Sequence, residues 1–172
     1  MASLLPGSPQ LPPAFPAQPS PWTGESLRDP IFLLSKIGSQ ATKLFSEVLE
    51  PLQIRPRHVA ALRFIAAREG ASQRELVEGL WSDSSSVVSL LDDFEARGLA
   101  ERRRNAKDRR ASAVYLTEEG HAVLEAALQL SKAVESAVLA RLNEEQKAQL
   151  LDLLARVVTQ HDDGPAEAPR SD

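Results

Sequence analysis

Residues 72–116 constrain the fold more than any other part of the chain, because they read as two short helices, a turn and a strongly basic hairpin in unbroken succession. The run Ser72-Gln73-Arg74-Glu75 has the form of a capping box, in which the Ser72 hydroxyl and the Glu75 carboxylate each satisfy an orphan N–H at a helix start. Leu76, Val77 and Leu80 then give that helix its apolar side. A second helix is predicted over about 83–97, where Val87, Leu90, Leu91 and Phe94 recur at three- and four-residue spacing and Gly98 stands as a stop. Its opposite face shows Ser85, Ser86 and Ser89. From Glu101 the chain passes through Arg102, Arg103, Arg104, Lys107, Asp108, Arg109 and Arg110 to the β-prone run Ser112-Ala113-Val114-Tyr115-Leu116, which predicts a hairpin with a polar tip.

Charge distribution says more about partners than the net charge of −4 does. Between Arg97 and Arg110 there are seven basic residues against Glu101 and Asp108, a local charge of +5 that leaves −9 on the rest of the chain. An acidic body with one basic edge is compatible with docking that edge onto phosphates. Composition alone also permits a solvated charge run with no partner.

A chain of 172 residues with 42% hydrophobic residues is long enough for one domain with a sizeable core. The absence of cysteine excludes disulfides, thiolate metal sites and thiol-based oxidant sensing. No apolar run approaches the roughly 20 residues of a membrane span, and the start lacks a charged region followed by an apolar one, so the expected location is cytoplasmic. His58, His121 and His161 are far apart and without metal-ligand spacing, which places them as surface or boundary residues and implies neither metal nor cofactor. No nucleophile elbow or glycine-rich phosphate loop is present, and the run Ser84-Ser85-Ser86 has no histidine near it, so the reading is not that of an enzyme.

On the flanks, residues 1–28 hold seven of the twelve prolines and suit a flexible, extended arm, either a loose leader or a segment laid along a partner subunit or DNA, with Trp22 as its one anchor. Asp29-Pro30 is a helix start, and Leu34, Ile37, Ala41, Leu44 and Val48 stripe the helix until Pro51. Another helix opens at Pro56 with Val59, Leu62, Phe64 and Ile65. Beyond the hairpin, Thr117 is placed as the cap of a long helix, and Asn143 with Gln146 as a second capping box before a leucine-rich helix. That last helix has more apolar area than one small neighbour covers, which favours pairing with another subunit. Residues 162–172 are expected to be a disordered tail.

Four pieces in this order and spacing carry a family resemblance: Ser-Gln-Arg-Glu-Leu at 72–76, Leu-Asp-Asp-Phe-Glu-Ala-Arg-Gly-Leu at 91–99, Asp-Arg-Arg at 108–110 and Tyr-Leu-Thr-Glu-Glu-Gly at 115–120. Together they resemble the MarR family of winged-helix transcription regulators over about residues 30–161. The resemblance implies a mainly α fold with a small β-wing, a winged helix-turn-helix at about 56–116 and dimerisation helices at about 30–50 and 118–161. It implies a DNA-binding, ligand-responsive repressor that acts as a homodimer on a pseudo-palindromic operator. Double-stranded DNA would be met by Arg74, Ser84, Ser85, Ser86 and Ser89 and by the wing residues Arg103, Lys107, Asp108, Arg109 and Arg110. In that scheme Asp108 steadies the wing tip, and Arg110 reaches the backbone or minor groove or pairs with Asp83. A small aromatic or phenolic effector would bind beside the dimerisation helices, with Arg28, Arg57, His58 and Arg63 as candidates.

Two departures from the family stand out. Relatives carry arginines at the positions of Ser84, Ser89 and Asp93, whereas this recognition helix has no basic residue before Arg97 and is acidic at Asp83, Asp92, Asp93 and Glu95. Relatives also place glycine where Trp81 stands, and a left-handed backbone strains a bulky side chain, so either the turn differs or Trp81 packs over the helix junction. These departures keep a second reading open, a dimer that mainly binds a small molecule or a protein and whose grip on DNA is weakened.

Overall fold

The computed structural model of the chain describes residues 24–104 and 112–159, together with Leu11 and Ala14. Helix α1, Pro30–Leu49, starts as the sequence predicts: Asp29 Oδ1 accepts from the N–H groups of Ile31 and Phe32 at 2.9 and 3.1 Å, and Pro30 occupies a position where no donor is needed. Its apolar stripe is buried only toward the C-terminal end, at Leu44, Val48 and Leu49, while Ile31, Leu34 and Ile37 face solvent. A short 3-10 turn, Glu50–Leu52, leads to α2, Pro56–Ala67, which buries Val59, Ala61, Leu62 and Ile65.

The helix-turn-helix follows as α3, Gln73–Gly79, and α4, Ser84–Ala96. The capping box of α3 forms as read, with the Ser72 N–H donating to Glu75 Oε2 at 2.8 Å and the Glu75 N–H to Ser72 Oγ at 3.2 Å. Strands β1 (Ala71–Ser72), β2 (Ala100–Arg104) and β3 (Ser112–Leu116) make an antiparallel sheet in the order β1-β3-β2, with Ala100 opposite Leu116 and Arg104 opposite Ser112. Sequence reading missed β1, because two residues carry no alternation and Ser72 also serves as a helix cap. This is a mainly α fold with a small β-wing.

Helix α5, Glu118–Val138, is joined to the end of α4 through one hydroxyl: Thr117 Oγ1 accepts from the Gly120 N–H at 3.0 Å and donates to the Gly98 carbonyl at 2.6 Å. The approach is so close that a Cβ on Gly120 would lie 1.9 Å from the Leu99 carbonyl oxygen. Leu62, Ile65, Leu76, Leu91 and Phe94 are fully enclosed between the helices, each burial stabilising by about 1.5–3 kcal/mol. Two residues of the proline-rich stretch join this packing, Ala14 buried and Leu11 beside it, and a 3-10 turn forms over Gly24–Arg28, so that stretch is not wholly without contacts; Trp22 lies outside the described residues.

The chain divides into two compact units, Met1–Val138 and Leu139–Asp172. Within the second, α6 (Glu144–Val158) starts at a true capping box, Asn143 with Gln146, and has no buried residue; Leu151, Leu153, Leu154, Val157 and Val158 are all exposed. Among the described residues no helix is long and apolar enough to cross a membrane.

Candidate nucleic-acid interface

The turn between α3 and α4 closes as a Schellman motif, with the Ser82 N–H donating to the Val77 carbonyl at 3.1 Å and the Trp81 N–H to the Glu78 carbonyl at 3.3 Å. That pattern needs a left-handed residue at Trp81, and Trp81 adopts it with φ of +46°. Neither expectation for Trp81 holds: the turn keeps its usual shape, and the indole is not packed over the junction but 80% exposed.

Asp83 caps α4. Its Oδ1 accepts from the Ser86 N–H at 2.8 Å, while the hydroxyls of Ser85 and Ser86 donate to its two oxygens at 2.5 and 2.6 Å. Those bonds, first from Ser85 and then from Ser86, hold the Asp83 carboxyl well below the usual carboxylate range. The two hydroxyl protons are therefore occupied, and the serines offer lone pairs rather than free donors to a base edge, which narrows the sequence reading of them as both. Ser84 Oγ accepts from Gln73 Nε2 at 3.2 Å, tying the start of α4 to α3. Ser89 is exposed further along the helix. Arg74, on α3, is exposed and paired with Glu78 at 2.8 Å, and that hydrogen bond raises its pKa.

The basic stretch is less free than its charge count implies. Arg97 donates to the carbonyls of Gln53 and Leu52 at 3.0 and 3.2 Å and lies 3.6 Å from Asp93. Arg102, on β2, turns back onto α4: its Nη2 donates to Asp92 Oδ1 at 2.8 Å, its Nη1 to Glu95 Oε2, and its main-chain N–H to Glu95 Oε1 at 3.1 Å. Arg103 pairs with Glu101 and stacks over the Tyr115 ring at 4.8 Å. Each of these guanidiniums has an intramolecular acid, so the local excess of +5 is not all available to phosphates. Lys107, Asp108, Arg109 and Arg110 lie outside the described residues.

The effector candidates do not come together as a group. Arg57 and His58 share an open cleft of about 330 Å³ with Gln53, Arg55, Ser89, Leu90, Asp93 and Arg97, while Arg28 and Arg63 do not line it. Arg57 also borders a smaller cleft of about 220 Å³ with Leu80, Ser82, Ser86 and Val87. His58 is only 7% exposed, contrary to its reading as a surface or boundary residue. Its Nδ1 accepts from the Arg55 N–H at 2.8 Å, starting α2, and its ring meets Phe94 edge-on at 5.9 Å. Burial, and then the neighbouring Arg57, lower its pKa below 6.5 and keep the imidazole neutral.

Comparison with known proteins bears on this arrangement directly. Residues 52–111, from Leu52 through α2, the helix-turn-helix and β2, match the MarR family. Over 99 residues the chain is 33% identical to the transcriptional regulator HosA of Escherichia coli O127:H6, spanning 58% of this chain and 73% of that protein. The chain belongs to the MarR family. Like its relatives in the family it is a DNA-binding transcription regulator and not an enzyme. Its fold matches a mutant MarR from E. coli complexed with operator DNA, at TM-score 0.68 and 26% identity over 78% of this chain and 97% of that one. It also matches the repressor CouR, both on a 23-mer DNA duplex (TM-score 0.72, 27% identity, 79% and 96% coverage) and, from Rhodococcus jostii RHA1, with p-coumaroyl-CoA bound (TM-score 0.68, 29% identity, 78% and 95%).

Proposed function

We propose that this MarR-family regulator is a cytoplasmic, ligand-responsive repressor that acts as a homodimer on a pseudo-palindromic operator. The observation that carries the reading is the pairing of a fully formed helix-turn-helix with a wing strand fastened to its second helix, in a chain whose relatives include two proteins solved on DNA. Helix α4 enters the major groove with Ser84, Ser85, Ser86 and Ser89 near base edges, and Arg74 on α3 stands over the backbone. Arg103, Lys107, Arg109 and Arg110 on the wing follow the backbone or the minor groove, with Asp108 holding the tip. Dimerisation is supported by apolar side chains that are exposed among the described residues, Ile31, Leu34 and Ile37 on α1 and Leu151, Leu154 and Val158 on α6.

For the effector, Arg57 borders both clefts, a polar one with His58 and a smaller one where it stands beside Ala60, Leu80, Val87 and Leu90, and the smaller cleft offers a small aromatic or phenolic acid a cation next to apolar side chains; Arg28 and Arg63 line neither. CouR, solved with p-coumaroyl-CoA, supports a small-molecule effector in general terms. A second reading, a dimer whose main role is to bind a ligand or protein, is favoured by the internal pairing of Arg97, Arg102 and Arg103.

Titration of the purified full-length protein with duplex DNA from upstream of its own gene, against a random duplex at several salt concentrations, separates the two. A repressor binds the upstream duplex saturably and more tightly than the random one. Equal, weak binding to both would leave the ligand- or protein-binding dimer.

A further inference from the structure

Among the described residues Trp81 and Gln53 are the non-glycine residues with positive φ, and Trp81 is the bulky one left exposed. The chain builds the same Schellman closure twice. At the end of α4 the Leu99 N–H donates to the Phe94 carbonyl at 2.8 Å and the Gly98 N–H to the Glu95 carbonyl at 3.0 Å, with Gly98 in the left-handed position at φ of +66°. At the end of α3 the same left-handed position is held by tryptophan at φ of +46°. Glycine meets the backbone demand without a Cβ clash, whereas an L side chain there is strained. No packing offsets that strain, since the indole is 80% exposed. A strained, unpacked, large aromatic side chain calls for a partner outside the chain.

Its position says which partner. In a helix-turn-helix the first helix crosses the DNA backbone and the second puts its N-terminal residues into the major groove. The turn joining them therefore sits at the lip of the groove, where phosphates and sugars line the edge. Trp81 is two residues before Asp83, the cap of α4, so its side chain projects from that lip. The first turn of α4 brings no cation to the same phosphates, and the protons of Ser85 and Ser86 are held by Asp83. An indole N–H is a donor without charge, and the ring adds apolar contact against deoxyribose.

We infer that Trp81 is a DNA-backbone contact of this regulator, its indole N–H donating to a phosphate oxygen and its ring covering the adjoining sugar at the edge of the major groove. The inference rests on the DNA-binding reading above and adds to it a residue of the turn between α3 and α4. Being uncharged, the contact releases no counterion, which distinguishes it from the wing arginines.

The test uses the full chain, in which Trp22 and Trp81 are the two tryptophans. W22F leaves Trp81 as the sole tryptophan, and its emission, excited selectively over that of Tyr115, is expected to change saturably as duplex from upstream of the gene is added. W81G removes the strain and the contact together. It is expected to raise the melting temperature by roughly 2–8 °C while weakening binding to both the upstream and a random duplex by roughly tenfold or more, with the salt slope unchanged. W81F keeps a ring and the strained backbone but has no donor, and is expected to bind nearly as weakly as W81G. If the parent binds DNA and W81G binds it equally well, or the W22F emission does not respond, the contact is refuted while the DNA-binding reading stands. W81F binding like the parent refutes the phosphate hydrogen bond. A parent that binds neither duplex removes both the reading and this inference.

Discussion

Replacing Arg102 with alanine tests whether the wing's first arginine serves DNA or the protein itself. Its side chain is 23% exposed, and it reaches two carboxylates on α4 that remain partly in water, Asp92 at 61% and Glu95 at 38%. Arg102→Ala removes two charge-assisted hydrogen bonds and leaves the main-chain bond to Glu95 in place. A fully buried pair of this kind would cost several kcal/mol, but water reaches both acids, so the loss is discounted to about 1–2 kcal/mol. For a chain of this length that corresponds to a fall in melting temperature of about 2–8 °C. A double-mutant cycle with Glu95→Gln should then show a coupling of about 1 kcal/mol. On DNA, loss of the clamp loosens the wing and weakens binding to specific and random duplexes alike, and the slope of affinity against salt stays as it was. A phosphate contact behaves otherwise, lowering that slope by about 0.9. A slope reduced by that amount, with no coupling to Glu95 in thermal melts, would refute the clamp.

Gly79→Ala sets a Cβ 1.9 Å from Phe64 Cε2, so the ring must shift; a loss of about 1–3 kcal/mol is expected in denaturant melts, less when Phe64→Leu is added. The His58 pKa is depressed, so the unfolded chain takes up a proton near pH 6.5 before the folded one does; stability falls as pH drops below that value and levels off once the folded histidine titrates. Thermal melts between about pH 7 and pH 5 should show that slope in the parent and a flatter one in His58→Gln. Arg110→Ala is expected to weaken binding to both specific and random DNA by roughly 1–3 kcal/mol, with circular dichroism unchanged; binding with the parental affinity and salt slope would remove the wing tip as an electrostatic anchor.

What could be read from sequence was what the chain specifies locally. The caps Ser72 with Glu75, Asp29 before Pro30, and Asn143 with Gln146 lie within three residues of their partners, and the stripe Val87, Leu90, Leu91, Phe94 follows from helical period alone. Contacts between elements were not legible. The bond from Arg97 to the Leu52 carbonyl spans 45 positions, and no periodicity announces it. The burial of His58 depends on Phe94 arriving from α4, which spacing along α2 does not reveal. Trp81 was singled out for the right reason, since its position does require a left-handed backbone, but sequence could not say that the strain is borne with the indole exposed.

The acidity of the recognition helix also changes meaning once its partners are known. Counted along the sequence, Asp83, Asp92, Asp93 and Glu95 oppose an approach to phosphates. In the fold each has a specific duty. Asp83 satisfies the first turn of α4 and orients two serines. Asp93 lies beside Arg97, whose guanidinium bonds the loop ahead of α2, and Asp92 and Glu95 hold Arg102 and with it strand β2. Three of the four acids are thus matched by cations within 4 Å, and the fourth is capped by N–H and O–H donors, so the field they present to DNA is that of local dipoles rather than of free charges. The same pairing draws Arg97 and Arg102 away from phosphates. Recognition helix and wing strand are thereby fastened to each other through Arg102, and Asp92 and Glu95 of α4 are engaged in that joint rather than presented as free charges.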